Sequence, residues 1–98
     1  MFVENFYFNY FILANKIDDE GAKYLNELFK FNDSLISIDL KENNLTSEGA
    51  RLIADSIKTN TTLEVIGLNY NNIGDEGSKF ISEALKYNKT ILEILLGG

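Results

Sequence analysis

The chain has 98 residues, 45% hydrophobic and 24% charged, a size and balance that suit one globular domain. It contains no cysteine and no histidine, which removes disulfides, thiolate nucleophiles, imidazole bases and most zinc or iron sites. Fifteen acidic residues against nine basic ones leave a net charge of −6, and Arg51 is the single arginine, so no basic stripe exists to neutralise a nucleic acid.

The chain opens on MFVENFYFNYFILANK, an apolar and aromatic stretch in which Glu4 is the only charge before Lys16 and Asn5 and Asn9 interrupt the run. It lacks the basic start of a secretory signal and falls short of the roughly 20 apolar residues that span a bilayer. A cytoplasmic protein with no membrane partner is therefore expected. Tyr7, Tyr10 and Ile12 are the expected inward residues of a degenerate first strand, with Phe2, Phe6, Phe8 and Phe11 crowded around it.

Laid against itself, the chain repeats at a step of 28 residues. The step relates Leu35, Leu63 and Ile91; Asn15, Asn43 and Asn71; Gly21, Gly49 and Gly77; Leu25, Ile53 and Ile81; Lys30, Lys58 and Lys86; and Asn32, Asn60 and Asn88. Residues 35–62 and 63–90 share 11 identities in 28 positions. The expected division is a degenerate repeat over about 7–34, complete repeats at 35–62 and 63–90, and a truncated strand at 91–98.

Each unit begins with a strand signal. LISIDLKEN and LEVIGLNYN place apolar residues at the first, fourth and sixth positions, so Leu35, Ile38, Leu40 and Leu63, Ile66, Leu68 are the expected inward side chains. A helix follows in TSEGARLIADSIKTN and DEGSKFISEALKYN, whose apolar residues Ala50, Ile53, Ile57 and Phe80, Ile81, Ala84, Leu85 recur at helical spacing. Thr46 and Ser47, or Asp75, are candidate N-caps; Glu48 and Glu76 sit in the first turn and Lys58 and Lys86 in the last. Asn60 and Asn88 would then take a left-handed exit.

Such a unit cannot bury its apolar face alone, so copies must stack, with strands in parallel on one side and helices on the other. Asn15, Asn43 and Asn71 are expected to form a buried amide ladder that bonds backbone groups where the chain turns inward. Gly21, Gly49 and Gly77 lie where a side chain would strike the neighbouring unit.

The strings LISIDLKENNLTSEGA, LEVIGLNYNNIGDEGS and NKIDDEGA resemble the 28-residue leucine-rich repeat of the ribonuclease-inhibitor type, over about Tyr7 to Leu96. Repeats of this type occur in ribonuclease inhibitors, cytosolic NLR immune receptors, Ran GTPase-activating proteins and tropomodulins. The strict 28-residue step and the absence of cysteine resemble the NLR-like and GTPase-activator-like arrays more than ribonuclease inhibitor itself. The resemblance implies an α/β fold, a right-handed solenoid forming a horseshoe segment, with parallel strands on the concave face and helices on the convex face.

Four N-x-S/T sequons begin at Asn32, Asn44, Asn60 and Asn88. Three fall at one repeat position, where turn chemistry already favours Asn followed by Ser or Thr, so no glycosylation is expected.

In this architecture the residues that point away from the core on the strand side are free of packing duty. They are Ile36, Ser37, Asp39, Lys41 and Glu42 in one unit and Glu64, Val65, Gly67, Asn69 and Tyr70 in the next. Asp39, Lys41, Glu42, Glu64, Val65, Asn69 and Tyr70 are the candidate partner-binding residues, with Tyr70 the one large amphipathic side chain in a complete row. The mildly acidic row suits a protein partner with a basic surface. No cofactor, metal or catalytic residue is expected, because the carboxylates Asp18, Asp19, Glu20, Asp75 and Glu76 are accounted for at helix starts.

A protein-interaction module is thus the expected function, as a fragment of a larger receptor or scaffold. Activation of a Ran-like GTPase is the alternative, with Arg51 as the only arginine it could use. The closing string ILEILLGG aligns as a fourth strand with Ile91, Ile94 and Leu96 inward, and no helix to cover it. Its exposed edge could pair with other copies, giving self-association.

Overall fold

The computed structural model describes residues 8–11, 17–31 and 33–97, with the backbone alone described for 8–11. Strands and helices alternate: β1 (Phe8–Phe11), α1 (Asp19–Phe31), β2 (Leu35–Asp39), α2 (Ser47–Ile57), β3 (Val65–Gly67), α3 (Gly74–Leu85) and β4 (Glu93–Leu95). The strands form one parallel sheet in chain order. A parallel neighbour cannot be reached by a tight turn, so each step needs a crossover, and each helix supplies one.

The sheet's register is the repeat's own period. Ser37, Val65 and Glu93 stand side by side, as do Ile38, Ile66, Ile94 and Asp39, Gly67, Leu95. Between β1 and β2 the register slips once, between Phe8 and Asn9, with Tyr10 brought opposite Ile38. The expected places of Tyr7, Ile12, Asn15, Asn32 and Gly98 lie outside the described residues.

The core fills the space between sheet and helices. Leu35, Ile38, Leu40, Leu63, Ile66 and Leu68 meet Leu25, Phe29, Ile53, Ile57 and Ile81, all essentially without exposed surface. Burying each such side chain is worth about 1.5–3 kcal/mol. Leu85 departs from its expected place, being 38% exposed, while Ile57, its counterpart one repeat earlier, is fully buried. The difference is that α3 packs beside α2, and no described element packs on the far side of α3.

The helix ends correct three expectations. Thr46 caps α2, its hydroxyl accepting from the Glu48 N–H at 3.3 Å, but α3 starts at Gly74 with Ile73 at the N-cap and no side-chain cap. Asp75 therefore lies inside the first turn of α3. Lys58 and Lys86 sit at the C-caps, one residue beyond the last turn. Asn60 and Asn88 do not supply the left-handed residues; Glu42 (φ 60°), Tyr70 (φ 61°) and Gly74 (φ 67°) do.

Close approach between units explains two glycines. A Cβ on Gly49 would stand 2.5 Å from Asp19 Oδ1, and Asp19 crosses at that point to bind Thr46 through both its hydroxyl and its N–H. A Cβ on Gly77 would meet Ile73 Cβ at 2.8 Å and Ala50 Cβ of the preceding unit at 3.1 Å.

Candidate partner-binding face

Two asparagine ladders hold the turns that frame the sheet. Asn43 Oδ1 accepts from Ile17 N–H at 2.9 Å while its Nδ2 donates to the Leu40 carbonyl at 2.9 Å. One repeat on, Asn71 Oδ1 accepts from Leu45 N–H at 3.1 Å, and its Nδ2 donates to Leu40 and Leu68 carbonyls at 2.9 and 3.0 Å. Each amide thus satisfies buried backbone groups of two units at once.

The second ladder lies at the opposite end of the strands. Asn60 Oδ1 accepts from Thr62 and Leu63 N–H, and its Nδ2 donates to the Phe29 carbonyl at the end of α1. Asn88 repeats the arrangement with Thr90, Ile91 and the Ile57 and Asn60 carbonyls. The Thr62 and Thr90 hydroxyls donate to Leu35 and Leu63 carbonyls at 2.9 Å. An amide so engaged cannot carry a glycan in the folded chain, which gives these two sequons a structural role.

Between the ladders the sheet turns its outer face to solvent. Tyr70 is 59% exposed, Leu92 and Leu95 are 79% and 43% exposed, and Ile36 and Val65 are half-buried. Glu42, Glu64 and Glu93 are exposed, and Asp39, Lys41 and Asn69 are half-buried. Asp39 has a local bond as well: its Oδ1 accepts from Lys41 N–H at 3.1 Å and leans over Gly67, where a Cβ would lie 2.8 Å away. Asn69 Oδ1 is buried with no hydrogen-bond partner among the described residues. The expected contact residues are thus exposed or half-buried, with Glu42 and Tyr70 at equivalent left-handed positions.

Charge is distributed unequally between the two faces. The ion pairs among the described residues, Lys23–Glu20, Lys30–Asp55, Arg51–Glu48 and Lys86–Glu83, all lie on helices or their caps. Arg51 grips Glu48 through two bonds of 2.9 and 2.6 Å, which holds the Glu48 carboxyl below its ordinary value and raises Arg51. The Lys86 hydrogen bond likewise lowers Glu83 and raises Lys86. The lone arginine that GTPase activation would require is thus occupied on the helical side. Asp39, Glu42, Glu64 and Glu93 have no ion pair among the described residues.

On α3 an open concavity of about 590 Å³ is lined by Asp75, Glu76, Ser78, Lys79, Phe80 and Ser82. A groove of about 210 Å³ between α2 and α3 is lined by Arg51, Ala54, Asp55, Lys58, Phe80 and Glu83, with Lys58 Nζ 5.8 Å from the centre of the Tyr87 ring. Among the described residues no group of three or more His, Cys, Asp and Glu could hold a metal ion. Nor is any described helix long and apolar enough to cross a membrane.

With this geometry established, comparison with known proteins decides the fold. The leucine-rich-repeat family model matches residues 31–54 and 59–82, two copies 28 residues apart. The chain is a leucine-rich-repeat protein. Among solved structures the array is similar to leiomodin-1 actin-binding site 2, at 28% identity and a TM-score of 0.79, covering 90% of this chain and 53% of that one. It spans about half the length of that structure. No curated protein matches the sequence.

Three features of the array escaped the sequence reading. Leu92 and Leu95 belong to the closing string ILEILLGG, and the 28-residue step aligns them with Glu64 and Gly67. Asn60 and Asn88 form a second ladder whose signal was the recurrence of Asn-x-Thr itself. The Asp19 bridge to Thr46 had no sequence signal beyond the small residue at Gly49.

Proposed function

We propose that the array is a protein-interaction module whose concave sheet face receives the partner, with Asp39, Lys41, Glu42, Glu64, Val65, Asn69 and Tyr70 as contacts joined by Leu92 and Leu95. Tyr70 carries this reading. A left-handed backbone costs an L-residue about 1–2 kcal/mol, and glycine would occupy the place for less. Yet a tyrosine stands there at φ 61° with most of its ring in solvent, so the fold gains little from it. Strain kept at an exposed aromatic side chain supports a role in binding. The 28-residue units, each with a full helix, also support the ribonuclease-inhibitor type of repeat.

Quantitative capture from a cell extract tests this. Glu64→Lys with Tyr70→Gly is expected to reduce recovery of captured proteins at least tenfold, while Glu27→Lys with Glu76→Lys on the helical side leaves it unchanged. Loss with the helical pair and retention with the concave pair would overturn the reading.

The similarity to leiomodin-1 actin-binding site 2 supports a second, narrower reading in which actin is the partner. Co-sedimentation with actin filaments is expected to saturate and to be lost in the concave variant. No pelleting at micromolar excess would dispose of it.

A further inference from the structure

On the reading that the concave face is the binding surface, we propose that its partner presents a basic amphipathic helix lying across the strands. The argument begins from where apolar surface and charge coincide. Ile36, Val65 and Leu92 step across three neighbouring strands one residue out of line, and Leu95 extends the apolar surface along the last of them. Glu64 stands in register between Ile36 and Leu92, Glu93 stands beside Val65, and Asp39 lies two residues further along.

Charge selects the partner's sign. The face carries Asp39, Glu42, Glu64 and Glu93 against the single cation Lys41, and none of these carboxylates has an ion pair among the described residues. Among the described residues of the helices Glu20, Glu48, Asp55 and Glu83 are ion-paired and Asp19, Glu27, Asp75 and Glu76 are not, but six cations, Lys23, Lys30, Arg51, Lys58, Lys79 and Lys86, lie on or at the ends of the helices. Apolar side chains interleaved with unpaired carboxylates fit a partner with an apolar ridge bordered by Lys or Arg, since complementary potentials speed encounter and reject acidic competitors.

Spacing selects the partner's shape. Neighbouring strands lie about 4.8 Å apart and a helix rises about 5.4 Å per turn, so a helix laid across the sheet sets roughly one turn over each strand. Apolar residues at i, i+4 and i+7 would then reach Ile36, Val65 and Leu92 in succession, as in helix-in-groove recognition. Basic residues bordering that ridge would reach Glu64, Glu93 and Asp39.

The test uses the full chain and two labelled model helices of about 18 residues, or five turns. Both carry leucine along one face, one with lysine elsewhere and one with glutamate. By fluorescence anisotropy the leucine–lysine helix is expected to bind at least tenfold more tightly than the leucine–glutamate helix. Its affinity should fall at least tenfold with Glu64→Lys plus Glu93→Lys, and not with Glu27→Lys plus Glu76→Lys. All four positions are exposed, and an unchanged circular dichroism spectrum confirms folding of each variant. Equal binding of both helices, abolished by Leu92→Ser with Leu95→Ser, would overturn the basic-helix inference and leave the concave reading standing. Binding insensitive to every concave substitution would overturn both.

Discussion

Replacing Asn60 tests whether the second ladder holds the array together. Asn60 is 6% exposed; its Oδ1 accepts from Thr62 N–H at 2.9 Å and Leu63 N–H at 2.7 Å, and its Nδ2 donates to the Phe29 carbonyl at 2.8 Å. Asn60→Ala strands the Leu63 N–H and the Phe29 carbonyl in residues with almost no exposed surface, while the half-buried Thr62 N–H can turn to water. Each stranded buried group costs about 1–3 kcal/mol, so the loss should be about 2–6 kcal/mol. A chain of this size has a total stability of only about 5–15 kcal/mol.

Asn60→Asp separates the two halves of that cost. The new carboxylate keeps the acceptor but faces the Phe29 carbonyl with no donor, so burial and repulsion both raise its pKa. The variant is therefore destabilised at neutral pH and regains stability relative to the parent on acidification, once the carboxyl is protonated and can donate again. Urea unfolding followed by circular dichroism, with exposed Asn44→Ala as the control, measures both effects. A loss for Asn60→Ala no greater than that of Asn44→Ala, or an Asn60→Asp penalty independent of pH, would refute the reasoning.

Other substitutions probe separate links. Tyr70→Gly should stabilise the array by about 0.5–1 kcal/mol in urea unfolding, the left-handed strain relieved less the entropy glycine adds to the unfolded chain. Gly77→Ala should cost about 1–3 kcal/mol by pressing α3 away from Ala50 and Ile73, whereas Gly97→Ala, with no atom within 4 Å of a Cβ, should be silent. Because Glu48 and Glu83 are lowered from 4.5, their ion pairs add stability above that value and lose it as pH falls through the depressed folded values. NMR titration of the carboxyls should show Glu48 returning toward 4.5 in Arg51→Ala, with Glu83 unmoved.

The solenoid was legible because a repeat protein states its contacts many times over. Leu35, Ile38 and Leu40 recur as Leu63, Ile66 and Leu68, so period alone assigned the inward face. Asn43 and Asn71 likewise announced a buried polar role, since an amide recurring beside a strand needs backbone partners. The turn at Asn60 was misread because a helix-terminal Asn suits either a left-handed residue or a side-chain bond to the next turn, and composition does not separate them. Asp75 was misread as a cap because α3 starts one residue earlier than the acid suggested. The outer face was legible at Tyr70 and Glu64 but not at Leu92 and Leu95, where an apolar residue reads as core until the register shows which way it points. Ion pairing remained invisible, because which carboxylates are matched depends on three-residue geometry along helices such as Glu48 to Arg51.

Side-chain methyl NMR of the isotopically labelled array, with and without a protein that it captures, tests the concave reading most directly. The reading predicts shifts at Ile36, Val65, Leu92 and Leu95, with Leu28 and Leu52 on the helices unchanged. Shifts confined to Leu28, Leu52 and Leu85, with the sheet-face methyls still, would contradict it.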